Sequence, residues 1–239
     1  MLYYIIDYNA CACIQKYIER SFIMNVLVVG ANGAVGRKVI AQLRDTEHSS
    51  VALVRKEEQV SELENVGADN VVIGDLEGDI SQAFDGIDAV IFVAGSGGST
   101  GADKTLLVDL WGSKKVVDAA SKHGVKKLVQ LSATDSPDPD KESDDMRPYA
   151  VAKHMSDFYI EQSDLNYTIV RPGPLQDDEG TGKINASFSI DGDPNSYTIS
   201  RDDVATTLIN ALDIEKVDKQ TIYIQAGDTD VRTALEEIK

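Results

Sequence analysis

The sequence predicts an α/β fold in which helices cover both faces of a parallel sheet, and three observations support this fold class. Short apolar runs of strand length alternate with longer amphipathic runs from Met24 to Leu212. The first apolar run passes through three glycines, Gly30, Gly33 and Gly36, directly into an amphipathic run. Most of the apolar runs end in glycine, serine, aspartate or proline, and these ends would meet at one edge of a parallel sheet. The chain shows no internal repeat and no linker, so a single domain is expected.

Each element follows from its hydrophobic period and from the residues that interrupt it. The expected strands span 26–29, 49–55, 70–73, 88–93, 126–131, 166–171, 186–190 and 221–225, and the expected helices span 35–44, 56–64, 80–84, 103–123, 148–162, 201–212 and 229–238. Ser200 is expected to cap the helix that follows it. Trp111 is expected in the core, and the apolar side of the longest helix is expected to comprise Leu106, Leu107, Leu110, Val116, Val117 and Ala120.

Composition and charge restrict the kinds of partner. The chain has 239 residues, of which 42% are hydrophobic and 26% charged, as is ordinary for a globular protein. Its 40 acidic and 23 basic residues give a net charge of −17, which repels nucleic acid and anionic membrane surfaces. No apolar run is long enough to span a bilayer. The expected partner is therefore a small-molecule substrate, with no nucleic acid and no membrane.

The first 23 residues stand apart from this pattern. They contain both cysteines, Cys11 and Cys13, which form neither a disulfide framework nor a plausible zinc site, so we expect a cytoplasmic protein without a metal. The segment lacks the basic start and continuous apolar core of a signal peptide. It is either an added helix or upstream sequence included by a wrong start site, and we prefer the second because it has no evident part in the fold.

The three glycines predict a site for a diphosphate. Gly30 can adopt the backbone conformation of a tight turn, Gly33 leaves room for a phosphate, and Gly36 lets the helix pack close to the strand. The unpaired N–H groups at the helix N-terminus attract an anion. The spacing G-x-x-G-x-x-G differs from the commonest dinucleotide fingerprint, but its strand-to-helix context is the one that a dinucleotide site requires. We therefore expect a dinucleotide-binding site here, and the alternative is a glycine-rich strand-to-helix turn that binds no ligand.

Tyr149 and Lys153 are the candidate catalytic pair. They lie four residues apart, which places both on one face of a helix. A nearby ammonium lowers the pKa of a phenol from its ordinary value of about 10, which would make Tyr149 a workable proton donor for a carbonyl. Ser132, at the end of the fifth strand, could hydrogen-bond the same oxygen. Two side chains that merely share a surface face would show the same spacing.

Taken together, these motifs resemble the short-chain dehydrogenase/reductase superfamily, and in particular its atypical, compact epimerase/dehydratase-like and NmrA-like members. The resemblance covers Met24 to about Leu212. It depends on six segments in the expected order: G-A-N-G-A-V-G at 30–36, G-D-L at 74–76, V-A-G at 93–95, L-S-A at 131–133, Y-A-V-A-K at 149–153 and V-R-P-G at 170–173.

The resemblance implies a role for each matching position. Tyr149 would be the acid/base, Lys153 would hold the ribose and tune Tyr149, and Ser132 would orient the substrate. The implied cofactor-binding residues are Gly30, Asn32, Gly33, Ala34, Val35, Gly36, Arg37, Asp75, Leu76, Ala94, Gly95, Lys153, Pro172 and Gly173. Two departures concern the reaction: Asp109 stands where many catalytic members have asparagine, and the long C-terminal domain of sugar-nucleotide epimerases is missing.

The charges near the second strand favour NADP over NAD. Sites that prefer NAD place an acidic residue at the end of this strand to hold the ribose 2′-hydroxyl. Here Arg55 and Lys56 occupy that place, and Arg37 follows the glycine turn. Cations suit the 2′-phosphate of NADP.

The expected function is an NADP-dependent oxidoreductase that transfers hydride between nicotinamide and a small carbonyl or alcohol. Two alternatives stay open: a non-catalytic NADP(H) sensor, and a quinone or flavin reductase that does not use Tyr149. The pocket would be completed mainly by a cap at 173–200. The acidic run 135–145 is expected to be a solvated loop that could close over the site. The protein would be a monomer or a homodimer.

Overall fold

The computed structural model describes residues 23–98, 100–190, 192–193 and 196–239, so both interpretations of the N-terminal segment lie almost entirely outside the described residues. Its centre is a nine-stranded sheet of order β11-β8-β10-β6-β5-β4-β1-β2-β3, and β7 pairs with β9 separately. The strands are β1 Asn25–Val29, β2 Ser49–Val54, β3 Asn70–Ile73, β4 Ala89–Phe92, β5 Lys127–Leu131, β6 Tyr167–Pro172, β7 Leu175–Gln176, β8 Lys183–Ser187, β9 Ile199–Ser200, β10 Gln220–Ala226 and β11 Thr229–Asp230.

The helices pack on both faces of this sheet. They are α1 Ala34–Leu43, α2 Val60–Val66, α3, α4 Arg147–Glu161, α5 Arg201–Asn210 and α6 Val231–Glu236. Helix α3 runs from Ala102–Lys104 through a π-helical segment, Thr105–Leu110, into Trp111–His123. Short 3₁₀ turns span Glu57–Gln59, Ser81–Phe84, Pro139–Lys141 and Glu215–Val217.

The predicted doubly wound parallel fold is confirmed. The order β3-β2-β1-β4-β5-β6 is that of a Rossmann fold, and its direction reverses between β1 and β4, where such folds bind ligands. Within the large sheet, β8 pairs antiparallel with both of its neighbours. The strand expected at 186–190 therefore lies three residues earlier, at Lys183–Ser187. Ser200 caps α5 as expected, since its side chain accepts a hydrogen bond from the Asp203 N–H.

The core lies in two layers, one on each face of the sheet. Strand β1 supplies both layers, because Val26 and Val28 point to one face while Leu27 and Val29 point to the other. All four are buried, which explains the continuous apolar run in the sequence. One layer contains residues of α1 and α5, and the other contains residues of α3 and α4. No helix in the described part of the chain is long and apolar enough to cross a membrane.

The expected apolar side of α3 is right in its second half and wrong in its first. Val116, Val117 and Ala120 are buried, but the exposed fractions of Leu106, Leu107 and Trp111 are 49%, 40% and 52%. Thr105 and Asp109 are the buried residues of the π-helical segment. A π-helix has more residues per turn than an α-helix, so it rotates the buried face away from the positions that an α-helical period would bury.

Candidate cofactor and active site

A cavity of about 1130 Å³ opens at the carboxyl ends of the parallel strands. It extends from the start of α1, past the residues after β4 and β5, to those after β6. Of the expected site residues, those that line the cavity are Gly33, Ala34, Val35, Ala94, Gly95, Ser132, Tyr149, Lys153, Pro172 and Gly173. Cavities of about 300–1,000 Å³ hold drug-sized ligands, so this one has room for a large cofactor.

The glycine turn is built as a diphosphate site requires. Gly30 has φ +91°, and a Cβ there would lie 2.6 Å from the backbone of Ala94. A Cβ on Gly36 would lie 2.2 Å from the carbonyl oxygen of Gly30, so only glycine allows α1 this close to the turn. Helix α1 has no acidic residue in its first turn, and Ala34 and Val35 line the cavity there. The residues present therefore fit an anionic cofactor group at this N-terminus.

The expected 2′-phosphate cations do not line the cavity. Arg37 hydrogen-bonds the carbonyl oxygen and the side chain of Asn32 and pairs with Glu62. Arg55 and Lys56 are exposed just beyond β2, where Gln59 Oε1 accepts a hydrogen bond from each backbone N–H. Glu62 belongs to α2, which follows Arg55 and Lys56 in the chain. The Arg37–Glu62 pair therefore connects α1 to the part of the surface that carries these two cations.

Five other expected cofactor residues also lie outside the cavity lining, and one of them is Asn32, which accepts the hydrogen bonds from Arg37 described above. Gly30 and Gly36 form the close contact beneath the turn, as described above. Leu76 is buried beside α3, where a Cβ on Gly112 would lie 3.1 Å from its Cδ1 atom. Asp75 is exposed and accepts a hydrogen bond from the Glu77 N–H at 2.9 Å.

Tyr149 and Lys153 lie together at the other end of the cavity. The Lys153 Nζ atom is 5.8 Å from the centroid of the half-buried Tyr149 ring and donates to the Leu131 carbonyl oxygen at 3.0 Å. Burial raises the pKa of the Tyr149 phenol, and this effect exceeds the lowering by Lys153. Lys153 lowers this pKa as expected, but the net shift is upward because desolvation of the phenolate dominates.

The Ser132 hydroxyl does not point freely into the cavity. It donates to Asp157 Oδ2 at 2.7 Å and is buried. The same oxygen accepts from Ser136 at 3.1 Å and from the Arg171 guanidinium at 2.9 and 3.1 Å, while Gln130 donates to Oδ1 at 2.7 Å. Ser132 thus belongs to a buried polar network that joins β5, β6 and α4. Asp157 was not among the expected site residues, although its place one helical turn after Lys153 is a signal in the sequence that could have indicated it.

Two further carboxylates enter the site. Asp109 is 1% exposed, and its Oδ1 atom lies 4.0 Å from Lys153 Nζ. Asp135 borders the cavity, and burial raises the pKa of its carboxyl. Asp138, Glu142 and Asp145 line the same side, so the run expected as a solvated loop forms part of the cavity wall. Among the residues that the structure describes, no group of three His, Cys, Asp or Glu side chains is placed to hold a metal ion.

The chain belongs to the NAD(P)H-binding family, whose model matches residues 30–215. This places it among oxidoreductase-like proteins with a Rossmann fold. An uncharacterized sugar epimerase, YhfK, from Bacillus subtilis (strain 168) is 42% identical over 219 residues, which cover 90% of this chain and 100% of the relative.

Two solved structures are similar throughout most of their length. A Bacillus halodurans protein provisionally named as an NAD-dependent epimerase/dehydratase is 44% identical, with a TM-score of 0.86 and coverage of 90% of this chain and 99% of that one. The oxidoreductase ylbE from Lactococcus lactis is 33% identical, with a TM-score of 0.76 and coverage of 89% and 95%.

Proposed function

We propose that this protein is an NADP-dependent oxidoreductase that transfers hydride between nicotinamide and a small carbonyl or alcohol substrate. The observation that carries the proposal is the position of Tyr149 and Lys153, which line the same continuous cavity as the N-terminus of α1. One end of this cavity suits a diphosphate, and the other presents a phenol and an ammonium. The Lactococcus relative, an oxidoreductase, agrees with this class of reaction.

Different residues of the chain bind the diphosphate, the ribose and the 2′-phosphate of the cofactor. The N–H groups at the start of α1 hold the diphosphate, and Lys153 lies where it can donate to a ribose hydroxyl. Arg37, Arg55 and Lys56 provide the positive charge for a 2′-phosphate. When bound, the cofactor supplies or accepts the hydride.

Tyr149 provides the proton. Reduction of a carbonyl places hydride on its carbon and a proton on its oxygen, so a protonated acid must lie beside that oxygen. Because burial raises the pKa of Tyr149, the phenol keeps its proton through the neutral range and is suited to donate it. Carbonyl reduction requires the protonated phenol, whereas oxidation of an alcohol requires the phenolate.

The segment 173–200 provides the cap over the substrate. Pro174, Leu175, Ile190 and Gly192 line the cavity beside Pro172 and Gly173. Since the cofactor occupies much of the same cavity, the remaining space suits a small substrate.

Turnover by the wild type and by Tyr149→Phe tests the proposal. NADPH consumption is measured with small aldehydes, ketones and quinones, and the variant is expected to lose on the order of a hundredfold with carbonyl substrates. Tyr159→Phe is the matched control, because this half-buried tyrosine on the same helix donates its hydroxyl to Asp118 and does not line the cavity. Equal rates for wild type and Tyr149→Phe would favour a quinone or flavin reductase, and tight NADPH binding without turnover would favour a sensor.

The choice of NADP is tested separately. Replacing Arg55 and Lys56 together by glutamine is expected to weaken NADPH binding by about tenfold or more and to leave NADH binding nearly unchanged, because only NADPH carries the 2′-phosphate. Lys122→Gln, an exposed change at the far end of α3, controls for the loss of positive charge. Equal effects on both cofactors would contradict the assignment of these cations to the 2′-phosphate.

A further inference from the structure

Asp109 is an almost completely buried carboxylate, and one of its two oxygens accepts a hydrogen bond. Its Oδ2 atom accepts a hydrogen bond from the Ser96 N–H at 2.9 Å. Its Oδ1 atom has no hydrogen-bond partner among the residues that the structure describes. A buried carboxylate is costly unless an opposite charge compensates it, so a cation is expected close by.

That cation is Lys153. Its Nζ atom lies 4.0 Å from Asp109 Oδ1, and the exposed fractions of the two side chains are 5% and 1%. The same Nζ atom lies 5.8 Å from the centroid of the Tyr149 ring. One ammonium therefore lies near both the carboxylate and the phenol, and because Lys153 and Asp109 are shielded from water their charges act strongly on one another.

The π-helical segment of α3 places Asp109 at this position. Thr105 and Asp109 face inwards, and Thr105 Oγ1 lies 3.2 Å from Ser96 Oγ, so both side chains hold the loop after β4. Such segments occur frequently at functional sites. A Cβ on Gly95 would lie 3.1 Å from Asp109 Oδ1, so this glycine leaves room for the carboxylate.

We propose that Asp109 is a positioning residue that acts through Lys153: its carboxylate holds the ammonium and offsets part of the attraction of Lys153 for a phenolate, so that Tyr149 keeps its proton to higher pH and can donate it to a carbonyl oxygen. This inference rests on the proposed role of Tyr149 as proton donor. An asparagine at the same place would hold the Ser96 N–H equally well but would leave the lysine charge unopposed.

Four charged groups act on Tyr149, and they come from three elements. Lys153 and Asp157 belong to its own helix, Asp109 to α3 and Asp135 to the loop after β5. Burial raises the pKa of Tyr149 and Lys153 lowers it, while the three carboxylates raise it further, Asp109 foremost among them. Neutralising Asp109 alone is therefore expected to lower this pKa, with Asp135 and Asp157 unchanged.

The test is a titration of Tyr149 in Asp109→Asn. In protein labelled with ¹³C at the tyrosine ring, the Tyr149 resonance is identified by its loss in Tyr149→Phe, and it is expected to titrate at lower pH in Asp109→Asn than in the wild type. Asp103→Asn, at the exposed start of α3, removes the same charge away from the site and is expected to change nothing. The pH above which the rate of carbonyl reduction declines should likewise be lower in Asp109→Asn than in the wild type, because that decline follows ionisation of the donor phenol.

The two readouts separate this inference from the function on which it rests. A titration that is unchanged, or that moves to higher pH, would overturn the role of Asp109. If no substrate is turned over, the proposed function fails, while the titration still decides whether Asp109 controls the Tyr149 proton. Asp109→Ser provides the same charge removal if the asparagine variant does not fold.

Discussion

Replacement of Gly36 by alanine tests whether the close approach of α1 to the glycine turn shapes the cofactor site. The new methyl group would lie 2.2 Å from the Gly30 carbonyl oxygen and 2.8 and 2.9 Å from the Cα and C atoms of Ala31. All three are backbone atoms, so no rotation of a side chain can relieve the overlap. The helix must move away from the turn.

Two contributions of opposite sign set the expected magnitude. Alanine is favoured over glycine inside a helix by about 1 kcal/mol, whereas overfilling a packed site costs about 1–3 kcal/mol and occasionally more. A separation of 2.2 Å is far below the 3.4 Å at which ordinary contacts begin, so the upper end of that cost applies. The free energy of unfolding should fall by about 2 kcal/mol, which is roughly a 30-fold change in the folding equilibrium.

Urea unfolding followed by circular dichroism measures this loss, and an NADPH fluorescence titration measures the affinity, which should fall by about tenfold or more as the N–H groups of α1 shift. Gly78→Ala is the matched control, because its methyl group would lie 3.5 Å from the Asp75 carbonyl oxygen, an ordinary contact outside the cavity. The control should stay within about 0.5 kcal/mol of the wild type. Wild-type stability in Gly36→Ala would refute the steric argument, and unchanged NADPH affinity in a destabilised variant would refute the link between the turn and the cofactor.

Two further predictions concern buried carboxylates. Asp157→Ala leaves the Arg171 guanidinium buried without its carboxylate and should lower the free energy of unfolding by about 3–5 kcal/mol. The control Asp118→Ala, at an exposed ion pair, should lower it by less than about 1 kcal/mol. Equal losses in urea unfolding would contradict a stabilising role for the buried network. Asp135→Asn should raise the melting temperature at pH 7, because burial raises the pKa of this carboxyl and its ionised form therefore costs stability once the pH exceeds that raised value. The gain should disappear as the pH falls below 3.8, where the carboxyl is protonated in both the folded and unfolded states; a gain that persists there, or an equal gain in Asp138→Asn, would count against this reasoning.

The protonation of Tyr149 depends on competition between desolvation and charge. A lysine four residues after a tyrosine is expected to lower the pKa of the phenol, and Lys153 does so. The net direction is nevertheless upward, because burial of Tyr149 penalises the phenolate more than Lys153 stabilises it. Burial depends on what the rest of the chain packs over the ring, which the spacing of the two residues does not report.

The sequence by itself determined the fold and the two ends of the site. The apolar runs predicted the parallel strands β1, β2, β4, β5 and β6, because a strand buried on both faces must be apolar at successive positions. The run at β3 was also predicted as a strand, although β3 lies at the sheet edge and is only partly buried. The three glycines predicted the turn before α1, since the close packing at Gly36 excludes any larger residue. The helical spacing of Tyr149 and Lys153 placed them on one face of α4. Each of these inferences concerns contacts within one element or between consecutive elements.

Only the tertiary structure decided which residues from distant elements meet and which become dehydrated. The π-helical segment turned Asp109 towards Lys153 and left Leu106 and Leu107 exposed. The sequence did not predict this, because a change of helical period within one helix has no regular signature in the hydrophobic pattern. The side chain of Ser132, expected to face a substrate, instead bonds Asp157 in a network that spans three elements. These partners lie tens of residues apart in sequence, so their contacts depend on how the helices pack against the sheet.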